Sequence, residues 1–234
     1  MKTLILWDID HTLIENGGVS KETYAAAFEI LTGSSPAHRP QTDGRTDPVI
    51  MRNLFAANGI TFTAAYDDQL FDALVKAMAS NRTTLMTLGS ALPGVVDLLS
   101  ELRRDPSIVQ SVLTGNISDN ARAKLESFDL DKYIDFEVGG FGSDDPVRSK
   151  LVAIAQRRAS EKYGAVFDRT STVLVGDTVR DVDAALHGGA RIISVTTGID
   201  DETVLRDAGA DEVLPDLTDA AAFREAMRRV LAKP

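Results

Sequence analysis

The amino-acid sequence predicts an α/β fold: a doubly wound parallel sheet forming a core, with an all-helical unit inserted into it. Two observations carry this expectation. Four short apolar runs alternate with longer stretches at helical period, the pattern of strands buried on both faces beneath covering helices. Between about Glu15 and Gly89 the periodicity is helical, without a buried strand.

Thr3 to Trp7 is the first apolar run, and Asp8-Ile9-Asp10 follows it. The inserted stretch then shows three helical patterns: Tyr24, Phe28, Leu31; Ile50, Leu54, Ala57; and Leu70, Leu74, Ala77. Gly17-Gly18 and Gly89 bracket it. Val95, Leu98, Leu99 and Leu102 recur at helical spacing behind Pro93. A second run, residues 108–113, ends in Thr114-Gly115-Asn116. A third, residues 171–175, ends in Gly176-Asp177-Thr178, and Val182, Ala185 and Leu186 form a helix closed by Gly188-Gly189. Arg191 to Val195 is the fourth run; a last helix carries Ala221, Met227, Val230 and Leu231, with Thr218 as N-cap. This organisation predicts a core from residues 1–14 and 89–234, and an inserted helical cap over 15–88.

Composition narrows the function. A formal net charge of −10 repels phosphate backbones and anionic lipids, so neither nucleic acid nor membrane is an expected partner. There is no cysteine, which excludes disulfides, thiolate catalysis and cysteine-ligated zinc. Two aspartates interrupt the N-terminal apolar run before it could act as a signal peptide, and no stretch approaches the roughly 20 apolar residues of a membrane span. A cytoplasmic location is the default.

In a doubly wound sheet, ligands bind beyond the carboxyl ends of the strands. Three apolar runs end there in polar groups: Asp8, Asp10 and Thr12; Thr114 and Asn116; Asp177 and Asp181. A single strand-terminal Asp is more often a helix cap or turn former. Four carboxylates gathered on one sheet edge repel one another unless a cation lies among them. Oxygen-only ligands select a hard cation, Mg²⁺ before Ca²⁺.

These motifs resemble those of the haloacid dehalogenase-like (HAD) superfamily, in its subset similar to phosphoglycolate phosphatases. The first motif reads Asp8-Ile9-Asp10-His11-Thr12-Leu13, the second Thr114-Gly115-Asn116, and the fourth Gly176-Asp177-Thr178-Val179-Arg180-Asp181. The helical insertion falls where that subset carries its cap, and Leu92-Pro93-Gly94-Val95 matches the return to the core. The resemblance implies a Rossmann-like core and a Mg²⁺-dependent phosphatase acting on a small phosphorylated metabolite, as a monomer or homodimer. It implies that Asp8 attacks phosphorus and that Asp10 serves as general acid and base. Asp8, the Asp10 carbonyl, Asp177 and Asp181 would hold the metal. Thr114 and the amides of Gly115 and Asn116 would hold phosphoryl oxygens, and Thr12 would be a further substrate-binding residue.

The third motif requires a cation near a helix start. Arg148 is favoured, with Lys150 as the alternative; neither precedes the proline common in related phosphatases. His11 stands where the family has glycine, which suggests packing or gating ahead of catalysis. His38 and His187 read as structural or solvent-facing. Arg45, on a cap loop, can reach a phosphate or carboxylate bidentately, or lie exposed. Thr46 or Asp47 can cap the next helix. Within the superfamily, carbon–halogen hydrolysis is disfavoured by Asp10, a phosphohexose mutase uses the same carboxylate pair, and phosphonate cleavage would need Lys21 or Lys76 as a Schiff-base former. A non-catalytic binding protein is expected to lack Asp8 or Asp10, and both are present.

Overall fold

A computed structural model describes residues 2–42 and 44–233. In chain order the first half comprises β1 (Thr3–Trp7), β2 (Ile14–Glu15), α1 (Val19–Thr32), α2 (Asp47–Ala57), α3 (Ala64–Asp67), α4 (Leu70–Leu88), β3 (Ser90–Ala91) and α5 (Val95–Leu102). The second comprises β4 (Ile108–Thr114), α6 (Ser118–Glu126), β5 (Gly140–Phe141), α7 (Arg148–Tyr163), β6 (Thr172–Gly176), α8 (Val179–Gly188), β7 (Arg191–Val195), α9 (Glu202–Asp207), β8 (Glu212–Leu214) and α10 (Ala220–Leu231).

Six strands form one parallel sheet in the order β5-β4-β1-β6-β7-β8. Side chains alternate across a strand, so β1 feeds two cores. Ile5 and Trp7 join Leu98, Leu125, Val175 and Phe223 on one face. Leu4 and Leu6 join Leu151, Val182, Leu174 and Ile192 on the other. Trp7 stacks on Phe223 with ring centroids 5.3 Å apart. Burial on both faces explains why the four long strands read as continuous apolar runs. The edge strands β5 and β8 are 2 and 3 residues long, too short to leave such a run.

The helices of the inserted stretch bury a cluster of their own, including Phe28, Met51, Leu54, Phe55 and Leu74. Ile117, from the loop after β4, reaches into it. Where the chain leaves and rejoins the sheet, β2 and β3 pair antiparallel, and Leu92 N–H donates to the Leu13 carbonyl at 3.0 Å. Two local expectations change. The last helix starts one residue later than predicted, because the Asp219 carboxylate accepts from Ala222 N–H while Thr218 Oγ1 donates to Asp216. Its buried face is Phe223, Ala226 and Val230, and Ala221 is exposed. Thr46 occupies the N-cap position of α2, but its hydroxyl donates to the Pro146 carbonyl instead of capping. No helix among the described residues is long and apolar enough to cross a membrane.

Candidate active site

Strand register brings the polar groups together. Trp7 lies opposite Val112 on β4 and Val175 on β6, so the residues just beyond each strand share one edge. Asp8 N–H continues the ladder to the Val175 carbonyl at 2.8 Å. Asp8 is therefore held by the central strand, with Thr114 on one side and Asp177 on the other. Asp8, Asp177 and Asp181 are all buried, and each offers a carboxylate oxygen within 4.8 Å of the other two.

One guanidinium serves this cluster. Arg148 opens α7, and its Nη2 donates to Asp8 at 2.8 Å and to Asp181 at 2.5 Å. Its Nη1 donates to the Gly44 carbonyl at 3.0 Å, while the buried Nε finds no partner among the described residues. Lys150 stands elsewhere: its side chain is 62% exposed and pairs with Asp145. The alternative third-motif cation is thus outside the cluster, because the helix starts at Arg148 and the next residue but one points to another side.

Burial pushes the Asp8 carboxyl up to about 7; Arg148 opposes this, and the nearby charges of Asp181 and Asp10 add to it. Asp177 is also raised well above the usual carboxylate range, by burial and then by Asp181 and Asp8. Its Oδ1 accepts from the Thr12 hydroxyl at 3.0 Å. Thr12, expected to bind substrate, is 1% exposed and its hydroxyl is engaged with Asp177. Gly198 approaches so closely that a Cβ there would lie 1.8 Å from Asp177 Oδ2. Asp181 completes a capping box with Thr178 at the start of α8.

Asp10 is held separately. Its two oxygens accept from Lys124, from Asn16 Nδ2 at 2.8 Å, from Asn116 Nδ2 at 3.0 Å and from Ser20 Oγ at 3.2 Å. Burial raises its pKa, but Lys124 and these donors outweigh it and hold the carboxyl well below the usual range. Asp10 lies outside the three-carboxylate cluster through its side chain.

These groups floor a cavity of ≈ 280 Å³ lined by Asp8, Asp10, Thr114, Gly115, Asn116 and Arg148. Its far wall comes from the helical insertion, with Lys21, Tyr24, Arg45 and Ile50. The two walls meet tightly. Gly115 lies so near the Arg45 carbonyl that a Cβ would sit 2.1 Å from its oxygen. Asp47 N–H donates to the Gly115 carbonyl at 2.8 Å, and its carboxylate joins the Tyr24 hydroxyl to Ile117 N–H.

A HAD-hydrolase-like family model matches residues 147–220, the stretch holding Arg148, Asp177 and Asp181. Over 238 residues the chain is 25% identical to "Probable phosphatase IndB" of Dickeya dadantii, covering 100% of this chain and 98% of that one. It is 32% identical to the phosphoglycolate phosphatase of Synechococcus elongatus over 122 residues, 52% of this chain and 53% of that one. These matches make the chain similar to haloacid dehalogenase-like hydrolases over residues 147–220 and to named phosphatases over half or more of its length. A solved hydrolase from Pseudomonas syringae shares the fold of this chain with a TM-score of 0.65 at 20% identity, covering 96% of this chain and 98% of that one.

His11 has φ 61°, and its ring pairs with Glu15 at 3.0 Å on the cavity rim. His187 pairs with Asp183 on the surface, and His38 is exposed. Lys124 escaped the sequence reading. It is 1% exposed in α6, three residues after buried Ala121 and next to buried Leu125. A lysine at an apolar-face position was the available signal.

Proposed function

We propose that this HAD-like phosphatase hydrolyses a small phosphate monoester with Mg²⁺, through an aspartyl-phosphate on Asp8. The observation that carries the reading is one cavity floor holding two carboxylates in different surroundings. Asp8 faces an arginine within a buried acidic cluster, while Asp10 is fixed apart from it by donors.

The donor set fits a hard divalent cation. Asp8, Asp177 and Asp181 supply only oxygen, are buried, and share one guanidinium among three carboxyl groups. Those side chains would hold Mg²⁺, with the Asp10 carbonyl as a further ligand. The ion would supply neutralisation of the phosphoryl oxygens and of the carboxylate cluster.

Asp8 is the nucleophile. Its oxygen forms a bond to phosphorus as the phosphorus–oxygen bond to the leaving group breaks. The bonding pair stays on the leaving oxygen, which receives a proton from Asp10. Asp10 then takes a proton from water as the water oxygen attacks phosphorus. Cleavage of the Asp8–phosphorus bond restores the carboxylate and frees phosphate. Arg148 orients Asp8 and balances charge on the transferring group. Thr114 and the Gly115 and Asn116 amides cradle phosphoryl oxygens, and Arg45 recognises the rest of the substrate. Asp10 in the cavity weighs against dehalogenation, which has no leaving oxygen to protonate.

A cavity near the lower end of ligand-site volumes, about 300 Å³, suits a metabolite of phosphoglycolate size. The Synechococcus relative supports that substrate class. The reading takes residues 15–88 as the cap and residues 1–14 with 89–234 as the core, in a cytoplasmic monomer or homodimer. Release of p-nitrophenol from p-nitrophenyl phosphate, with and without Mg²⁺, tests it. The expected result is Mg²⁺-dependent release that Asp8→Asn abolishes; release equal in wild type and Asp8→Asn would refute it.

A further inference from the structure

Lys124 is a charged residue where the fold offers an apolar position. It lies in the last turn of α6, 1% exposed. Its Nζ is 2.8 Å from Asp10 Oδ1 and 2.6 Å from Asp10 Oδ2. The same ammonium donates to Asn116 Oδ1 at 2.8 Å and to Ser20 Oγ at 2.9 Å. An ammonium has three protons, and three residues take them, so it has no spare capacity and one geometry.

Stability alone is a poor account of this arrangement. A buried ion pair is often replaceable by apolar side chains at no loss, because desolvation offsets the attraction. The partners suggest a different purpose. Asn116 belongs to the loop after β4, and its amide is also pinned by Thr114 Oγ1 at 2.8 Å. Asn16 and Ser20 belong to the segment running from β2 into α1. Lys124 comes from α6, against which α4 packs. Asp10 is thus clamped between sheet edge and helical insertion, and among the described residues Lys124 alone grips both of its oxygens.

We propose that Lys124 is a positioning residue for Asp10, holding its carboxyl group in the one orientation that reaches the leaving-group oxygen. This rests on the reading of Asp10 as the group that protonates that oxygen. Proton transfer in the transition state demands alignment at the sub-ångström level, and a positioned acid contributes about 10²–10⁴-fold. The consequence is selective. As the phosphorus–oxygen bond breaks, its electron pair remains on the leaving oxygen. A nitrated phenolate bears that charge unaided, whereas phenolate needs the proton.

The experiment measures first-turnover phenol release from 2,4-dinitrophenyl, p-nitrophenyl and phenyl phosphates with Mg²⁺. It compares wild type, Lys124→Met, Asp10→Asn and the double variant. Lys124→Met is expected to slow phenyl phosphate by about 100-fold and to leave dinitrophenyl phosphate within about threefold. The double variant is expected to match Asp10→Asn on every ester, because Lys124 acts through Asp10. It carries neither buried charge, so it serves where Lys124→Met alone folds poorly. A loss in Lys124→Met that is equal across the three esters, or a double variant slower than Asp10→Asn by tenfold or more, overturns the proposal while the phosphatase reading stands. No Asp8-dependent release from any ester by wild type overturns both.

Discussion

Asp47 should make stability depend on pH in a way that one substitution isolates. Its carboxyl is 1% exposed, with the Tyr24 hydroxyl at 2.6 Å and Ile117 N–H at 2.8 Å. Burial raises its pKa from 3.8 to about 6, and the two hydrogen bonds and Lys124 only partly oppose that. The folded value lies above the unfolded one, so the protonated group favours folding. That contribution is full below the unfolded pKa and is lost as pH rises through the folded one. At about 1.36 kcal/mol per unit, the difference is about 3 kcal/mol, removed between about pH 4 and about pH 7. Asp47→Asn removes the titration and keeps an amide that can bond both neighbours, with the Tyr24 hydroxyl turning to accept. Urea unfolding of both proteins across this window gives the test, since other carboxyl groups cancel in the difference. The variant should gain about 3 kcal/mol on the wild type as pH rises, and most of that gain should be complete near neutrality. Parallel stability curves, or a variant that loses ground as pH rises, would refute the reasoning.

Other outcomes follow from the same contacts. Arg148→Met leaves Asp8 and Asp181 buried without their shared cation, so it should cost about 3–5 kcal/mol in urea unfolding and at least about 100-fold in kcat. Lys150→Met removes an exposed pair and should change stability by less than about 1 kcal/mol and kcat by less than about twofold. Mg²⁺ at about 100 times its Kd should stabilise the wild type by about 2.7 kcal/mol, read as a rise in Tm, and Asp177→Asn should lose most of that rise. Gly115→Ala forces a Cβ against the Arg45 carbonyl and should destabilise by about 1–3 kcal/mol, with KM raised more than kcat is lowered.

The sequence made strand ends legible because the signal there is local. An apolar run followed at once by Asp or Thr marks both the strand and the residue at its carboxyl end, which is how Asp8, Thr114 and Asp177 could be expected side by side. The choice between Arg148 and Lys150 depended on where α7 begins, and two residues on a helix point about 200° apart. The sequence offers Thr12 as a substrate-binding residue, and its hydroxyl donates to a carboxylate 165 positions away. Such a pairing leaves no trace in local pattern. Lys124 likewise acquires its partners only when α6 packs beneath the insertion, and Asp10 lies 114 positions from it. The short strands β5 and β8 were missed because pairing, not composition, defines them.

The central claim is that Asp8 carries the phosphoryl group. Enzyme mixed with p-nitrophenyl phosphate and Mg²⁺ for one turnover, then acid-quenched, treated with borohydride and digested, tests it directly by peptide mass. An acyl phosphate at Asp8 is reduced to homoserine, so the account predicts homoserine in the peptide containing Asp8 and none in Asp8→Asn. An unmodified Asp8 peptide from enzyme that has released its p-nitrophenol and still retains the phosphoryl group would contradict it.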